Sequence, residues 1–165
     1  GGAVAMELAL ASGAHAGVRG VVLLGSGSRL RVAPSIFEEL ESDFPAAALR
    51  LAGFFFASPS ASASRIEAAV ADMMAVGQSQ TIRDFRACDG FDAGSRLHEL
   101  AVPLLAITGE RDVMTPPKYA LTLVDRVPSG AARIIPDAGH FAMVERPDDV
   151  AGAVVAFAAA LDAQG

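Results

Sequence analysis

Residues 102–117 read VPLLAITGERDVMTPP, and the succession of residue types in this stretch sets the reading of the whole chain. Val102 to Thr108 is an apolar run with a proline near its start, where a strand loses least from a missing N–H. A run without polar alternation suits a strand covered on both faces, as strands of parallel sheets are. Gly109 to Met114 is loop. Thr115 followed by Pro116 and Pro117 is a helix-start signal, and the helix is expected to reach about Val127. Further on, ARIIP at residues 132–136 reads as another strand and DAGHFAMVER at residues 137–146 as a loop. A last helix is expected from near Pro147. Its apolar residues Val150, Val154, Phe157 and Leu161 fall on one helical face, and Asp148 and Asp149 suit the positive end of its dipole.

Upstream of the quoted stretch the same rhythm holds. Gly2 to Ala11 is apolar nearly all round with Glu7 as its sole charge, the pattern of a helix buried on the face of a sheet. Val21 to Leu24 is a continuous apolar strand, broken by the turn residues Gly25, Ser26 and Gly27. From Pro34 to Cys88 the character changes to several helical segments with no convincing strand, interrupted by the low-complexity loop ASPSASAS at residues 57–64. Within this helical insertion, Phe54, Phe55 and Phe56 either line a cavity or fill the core. The predicted fold class is therefore α/β: a parallel sheet of three strands with flanking helices, joined by right-handed crossovers, plus a helical insertion. Three strands make a thin sheet, and the first is expected to have a bare edge.

Bulk properties narrow the function classes. A chain of 165 residues with 52% hydrophobic and 19% charged residues is globular, with room for a sizeable core. Its net charge of −6, without any Lys/Arg cluster, argues against a nucleic-acid or anionic-membrane surface. No apolar run approaches the roughly 18 residues of a membrane span. The single cysteine, Cys88, excludes an internal disulfide, fits a reducing, cytoplasmic compartment and reads as packing. No His, Cys and Asp spacing suggests a metal site.

Two loops could carry chemistry, because both leave the carboxyl ends of predicted parallel strands, where open α/β sheets place their sites. One holds Asp112. The other holds His140, preceded by Gly139, which permits a sharp turn. A carboxylate that accepts the Nδ1–H of a histidine fixes its tautomer and stabilises the imidazolium formed during proton transfer. Asp112 and His140 are thus the candidate acid and base. Taken singly, each also has an ordinary reading, as a turn residue or a satisfied histidine. Val113 and Phe141 adjoin them and either line a pocket or pack the bases of the loops. Ser26 and Ser28 read as turn residues, His15 and His98 as exposed, and Glu145 as an aid to starting the last helix. No G-x-S-x-G sequence is present to supply a nucleophile.

The chain resembles the C-terminal part of an α/β-hydrolase fold enzyme. GGAVAMELAL at the start is similar to the segment just after the nucleophile elbow of that family, and VVLLGSGSRLRV to the next strand and the entry to a helical cap. VPLLAITGERDVMTPP resembles the strand and loop of the acid, and IIPDAGHFAMVERPDDVAGAVVAF the histidine loop and final helix. The resemblance implies a partial hydrolase core over residues 1–33, a helical cap over 34–90 and further core over 91–165. It also implies a serine two residues before Gly1, outside the sequence, with the chain truncated just after the elbow. The expected function is a serine hydrolase acting on carboxylic esters of small or medium hydrophobic acyl substrates, without a cofactor. A carbon–carbon bond hydrolase or enol-lactonase with the same triad is the alternative, and a non-catalytic ligand-binding protein of the same fold is another. A dehalogenase or epoxide hydrolase with an aspartate nucleophile fits Gly1-Gly2-Ala3 less well. Alone, the 165 residues are expected to be inactive.

Overall fold

Three parallel strands, adjacent in the order β1-β2-β3, organise the chain. The computed structural model describes residues 1–12, 17–58 and 63–163. Helix α1 spans Gly2–Ser12 and leads to strand β1, Val21–Leu24. Four helices follow: α2 at Pro34–Ser42, α3 at Phe44–Phe54, α4 at Ala63–Val76 and α5 at Gln78–Gly90. After a short 3-10 turn at Leu97–Glu99 come β2 at Leu104–Gly109, α6 at Pro117–Val124 and β3 at Gly130–Ile135. The chain closes with α7 at Ala142–Glu145 and α8 at Pro147–Asp162.

The apolar runs of β1 and β2 become strands because both of their faces are covered. Val21, Leu23, Leu104 and Ala106 pack with Met6 and Ala9 of α1 and with Ala120 and Leu123 of α6. The alternate residues Val22, Leu24, Leu105 and Ile107 face the other way, toward Val150, Val154 and Phe157 of α8. Strand pleating thus divides one continuous run between two helical layers. All six residues of β2 are buried. β3 pairs only with β2 among the described residues, and all but Ile135 of its side chains are exposed.

Helix α1 departs from expectation. Met6 and Ala9 are buried, but Val4 is 73% and Leu8 is 59% exposed, so one face packs on the sheet and the other stays open. Alanine-rich sequence on both sides hides this division from a reading of periodicity. The four helices α2 to α5 bury a core of their own around Leu40, Phe44, Ala47 and Leu51. Asp43 starts α3 by accepting the Ala46 N–H at 3.1 Å, an ordinary N-cap. Helix α6 ends at Val124, earlier than the expected Val127, although Val127 still packs into the core. The ASPSASAS loop lies partly outside the described residues, as does His15.

Candidate active site

The loops that leave strands β2 and β3 are joined by their backbones before any side chain is considered. Glu110 N–H donates to Ile135 O at 2.9 Å and Arg111 N–H to Ala138 O at 2.8 Å. Gly109 makes this approach possible: a Cβ there would lie 2.2 Å from the carbonyl oxygens of Ala138 and Gly139. On the outer side Arg111 pairs with Asp137, both half exposed. Such exposed pairs contribute little on their own.

Out of these joined loops Asp112 and His140 meet. His140 Nδ1 lies 2.9 Å from Asp112 Oδ2, so Nδ1 carries the proton and donates it to the carboxylate. The Asp112 side chain is fully buried, while that of His140 is 20% exposed. The Asp112 carboxylate is fully satisfied. Oδ1 accepts the N–H groups of Met114 and Thr115 at 2.9 and 2.8 Å, and Oδ2 also accepts the Thr115 hydroxyl at 2.8 Å. Burial pushes the Asp112 carboxyl up, but the hydrogen bond and charge of His140 and the two bonds from Thr115 outweigh it. The net effect holds this carboxyl below its ordinary range.

His140 opens onto a cavity of about 420 Å³. Its lining combines Phe55, Phe141, Met143 and Met114 with Ser26, and the start of α1 at Gly1 and Gly2 reaches the same space. The Phe55 and Phe141 rings stack at 4.4 Å between centroids, and Phe55 stands 6.3 Å from the imidazole. Gly25 supports the imidazole from the β1 side. It has φ +53°, and a Cβ there would sit 2.8 Å from His140 Cε1. A preformed, mainly apolar cavity with a few convergent polar groups is the usual setting of a small-molecule site.

A sequence profile described as "Alpha/beta hydrolase family" matches residues 1–153. The chain belongs to the alpha/beta hydrolase family. A thermophilic esterase superposes on it with a TM-score of 0.85 at 31% identity, covering 98% of this chain and 63% of the esterase. BpoC of Mycobacterium tuberculosis, which bears the name of a non-heme bromoperoxidase, is 41% identical over 64 residues, 39% of this chain and 24% of BpoC. The 2-hydroxy-6-oxo-6-(2'-aminophenyl)hexa-2,4-dienoic acid hydrolase of Metapseudomonas resinovorans is 34% identical over 61 residues, 37% of this chain and 21% of that enzyme. This alpha/beta hydrolase chain thus spans less than two thirds of each of these relatives.

Several sequence expectations about this site need correction. Val113 is 64% exposed and lines an adjoining depression, which shares Val32 and Met114 with the His140 cavity, rather than the cavity itself. The reason is local: Asp112 turns inward to accept the N–H groups of Met114 and Thr115, which swings the intervening Val113 out. Phe141 does line the cavity. Thr115 does not cap α6, whose N-cap Pro116 has no side-chain cap bond; the hydroxyl holds Asp112 instead. The Asp-x-x-Thr spacing ahead of two prolines is the signal that could have revealed it. Glu145 does not start α8 either. Its carboxylate accepts the N–H groups of Gly139 and Ala57. Ser26 is 7% exposed and lines the cavity, so it is more than a turn residue. Cys88 is half-buried and also lines the cavity, and burial pushes its thiol up. The phenylalanine run divides three ways: Phe54 is partly exposed beneath Arg50, Phe55 lines the cavity and Phe56 is buried. His98 is exposed.

Proposed function

We propose that this chain carries the acid and the base of a serine hydrolase acting on carboxylic esters with small or medium hydrophobic acyl groups. The observation that carries this reading is the 2.9 Å hydrogen bond between a buried, fully satisfied Asp112 and a His140 that opens onto an apolar cavity. The attacking serine is assigned to the segment preceding Gly1. Gly1 and Gly2 line the cavity that His140 opens onto, so a residue just before them is well placed to enter it.

In this mechanism His140, protonated on Nδ1, accepts the serine proton at Nε2 as the hydroxyl attacks the ester carbonyl. The resulting imidazolium is stabilised by the ionised Asp112 and then gives its proton to the departing alkoxide. Water attacks the acyl-enzyme in the second half, with His140 again as base. Asp112 remains ionised throughout, because the Thr115 amide and hydroxyl hold the charged form. Phe55, Phe141 and Met143 receive the acyl chain, and residues 34–90 act as the cap over it. No cofactor enters this scheme. A reducing, cytoplasmic setting accords with the free thiol of Cys88.

A second reading keeps the same relay and changes the bond. The likeness to the hexadienoic acid hydrolase favours cleavage of a carbon–carbon bond next to a carbonyl. Labelling by a serine-directed fluorophosphonate tests both readings in a polypeptide that includes the segment encoded upstream. Covalent labelling that the His140→Ala variant loses is the expected result. Saturable binding of a hydrophobic ester without labelling would instead make the protein a receptor of hydrolase fold. Turnover of simple esters against vinylogous diketones then separates the two bond types. The 165 residues alone are expected to hydrolyse esters no faster than background.

A further inference from the structure

We infer that Glu145 is a positioning residue that fastens the histidine loop to the end of α3, so that His140 and the Phe55 wall of its cavity are held as one unit. Its two carboxylate oxygens serve two segments far apart in sequence. Oε2 accepts the Gly139 N–H at 2.6 Å, next to His140, and Oε1 accepts the Ala57 N–H at 3.0 Å, just past α3. The same two segments meet twice more. Phe141 N–H donates to Phe55 O at 2.7 Å, and the Phe55 and Phe141 rings stack. Phe56 adds an edge-on contact to Phe141 at 5.8 Å.

The chemistry of the anchor requires a carboxylate. Two backbone N–H groups converge on it from different directions, and each needs an acceptor once removed from water. A glutamine at this position has one carbonyl oxygen, and its amide group would direct an N–H at one of the two donors. An aspartate is one methylene shorter and cannot span both. Glu145 stands at the end of the four-residue helix α7, so its backbone is fixed by the same turn that carries the loop into α8. Substrate that presses on Phe55 therefore acts on the backbone beside His140 through this carboxylate.

Hydrogen exchange by mass spectrometry, read without substrate on the polypeptide that includes the upstream segment, tests the anchor directly. Glu145→Ala, which removes both acceptor oxygens, should raise exchange about tenfold at both Gly139 and Ala57, each amide losing one charge-assisted hydrogen bond, while residues 104–109 of β2 stay protected. In the polypeptide carrying the upstream segment, the same variant should lower kcat about tenfold with KM changed less than about twofold. Asp148→Asn, which alters an acid in the first turn of α8, should do neither. Exchange unchanged at either amide, a rise that extends through β2, or a kcat loss shared by Asp148→Asn would each overturn the inference. Its catalytic consequence rests on the function proposed above, but the exchange pattern does not. Absent ester turnover with the coupled exchange response intact would count against that function and leave the anchor standing.

Discussion

At the scale of single residues, the site depends on how completely Asp112 is satisfied. Four donors converge on one buried carboxylate, and removing any of them leaves charge uncompensated in a dry setting. This has a consequence for stability against pH. The carboxyl is held below its ordinary value in the folded chain, whereas the unfolded chain titrates near the usual value of about 3.9. Its contribution is therefore fully present above that unfolded value and is lost as pH falls through the lower folded one. Urea unfolding of wild type and Asp112→Asn should show a stability gap that is constant near neutrality and narrows below about pH 4. A gap that widens on acidification would contradict the assignment. Gly25 gives a second residue-scale prediction. Gly25→Ala forces φ +53° on a side-chain residue and places Cβ against the imidazole. A loss of about 1–3 kcal/mol in unfolding free energy is expected, with displacement of the His140 ring signals.

At the scale of elements, the two loops are brought together by strands that are legible in the sequence. Unbroken apolar runs identify β1 and β2, the short ARIIP stretch marks β3, and the glycine and proline punctuation locates the loops that hold Asp112 and His140. Contacts that no local pattern announces stay hidden. Glu145 and Ala57 are 88 residues apart, and a glutamate before a proline-led helix looks like an ordinary helix-start residue. Ser26 and Cys88 escape a sequence reading because a turn and a helix end gain their place in the cavity from the segments that fold against them. The open face of α1 is obscured because alanine suits buried and exposed helix surfaces alike. Gly109 provides the test at this scale. Because a Cβ at Gly109 meets backbone oxygens of the histidine loop, Gly109→Ala must pry the two loops apart. Destabilisation of about 3 kcal/mol in urea is expected, the upper end for overpacking. An effect within about 0.5 kcal/mol, as for an ordinary surface change, would show the loops to be less tightly joined.

At the scale of the molecule, a three-stranded sheet holds the hydrogen-bonded Asp112 and His140 at one end. β1 is paired on one side only among the described residues, and Val4 and Leu8 of α1 are open to solvent. An unpaired strand edge beside an apolar helical face favours association. Light scattering of the purified 165 residues should therefore show mass rising with concentration; a monomer at all concentrations would contradict this. Ester turnover by the polypeptide that includes the upstream segment tests the proposed chemistry most directly. Saturable hydrolysis of short hydrophobic esters is expected, reduced about ten-thousandfold in kcat by Asp112→Asn, which supports the wrong tautomer of His140. Hydrolysis that survives both Asp112→Asn and His140→Ala would contradict it.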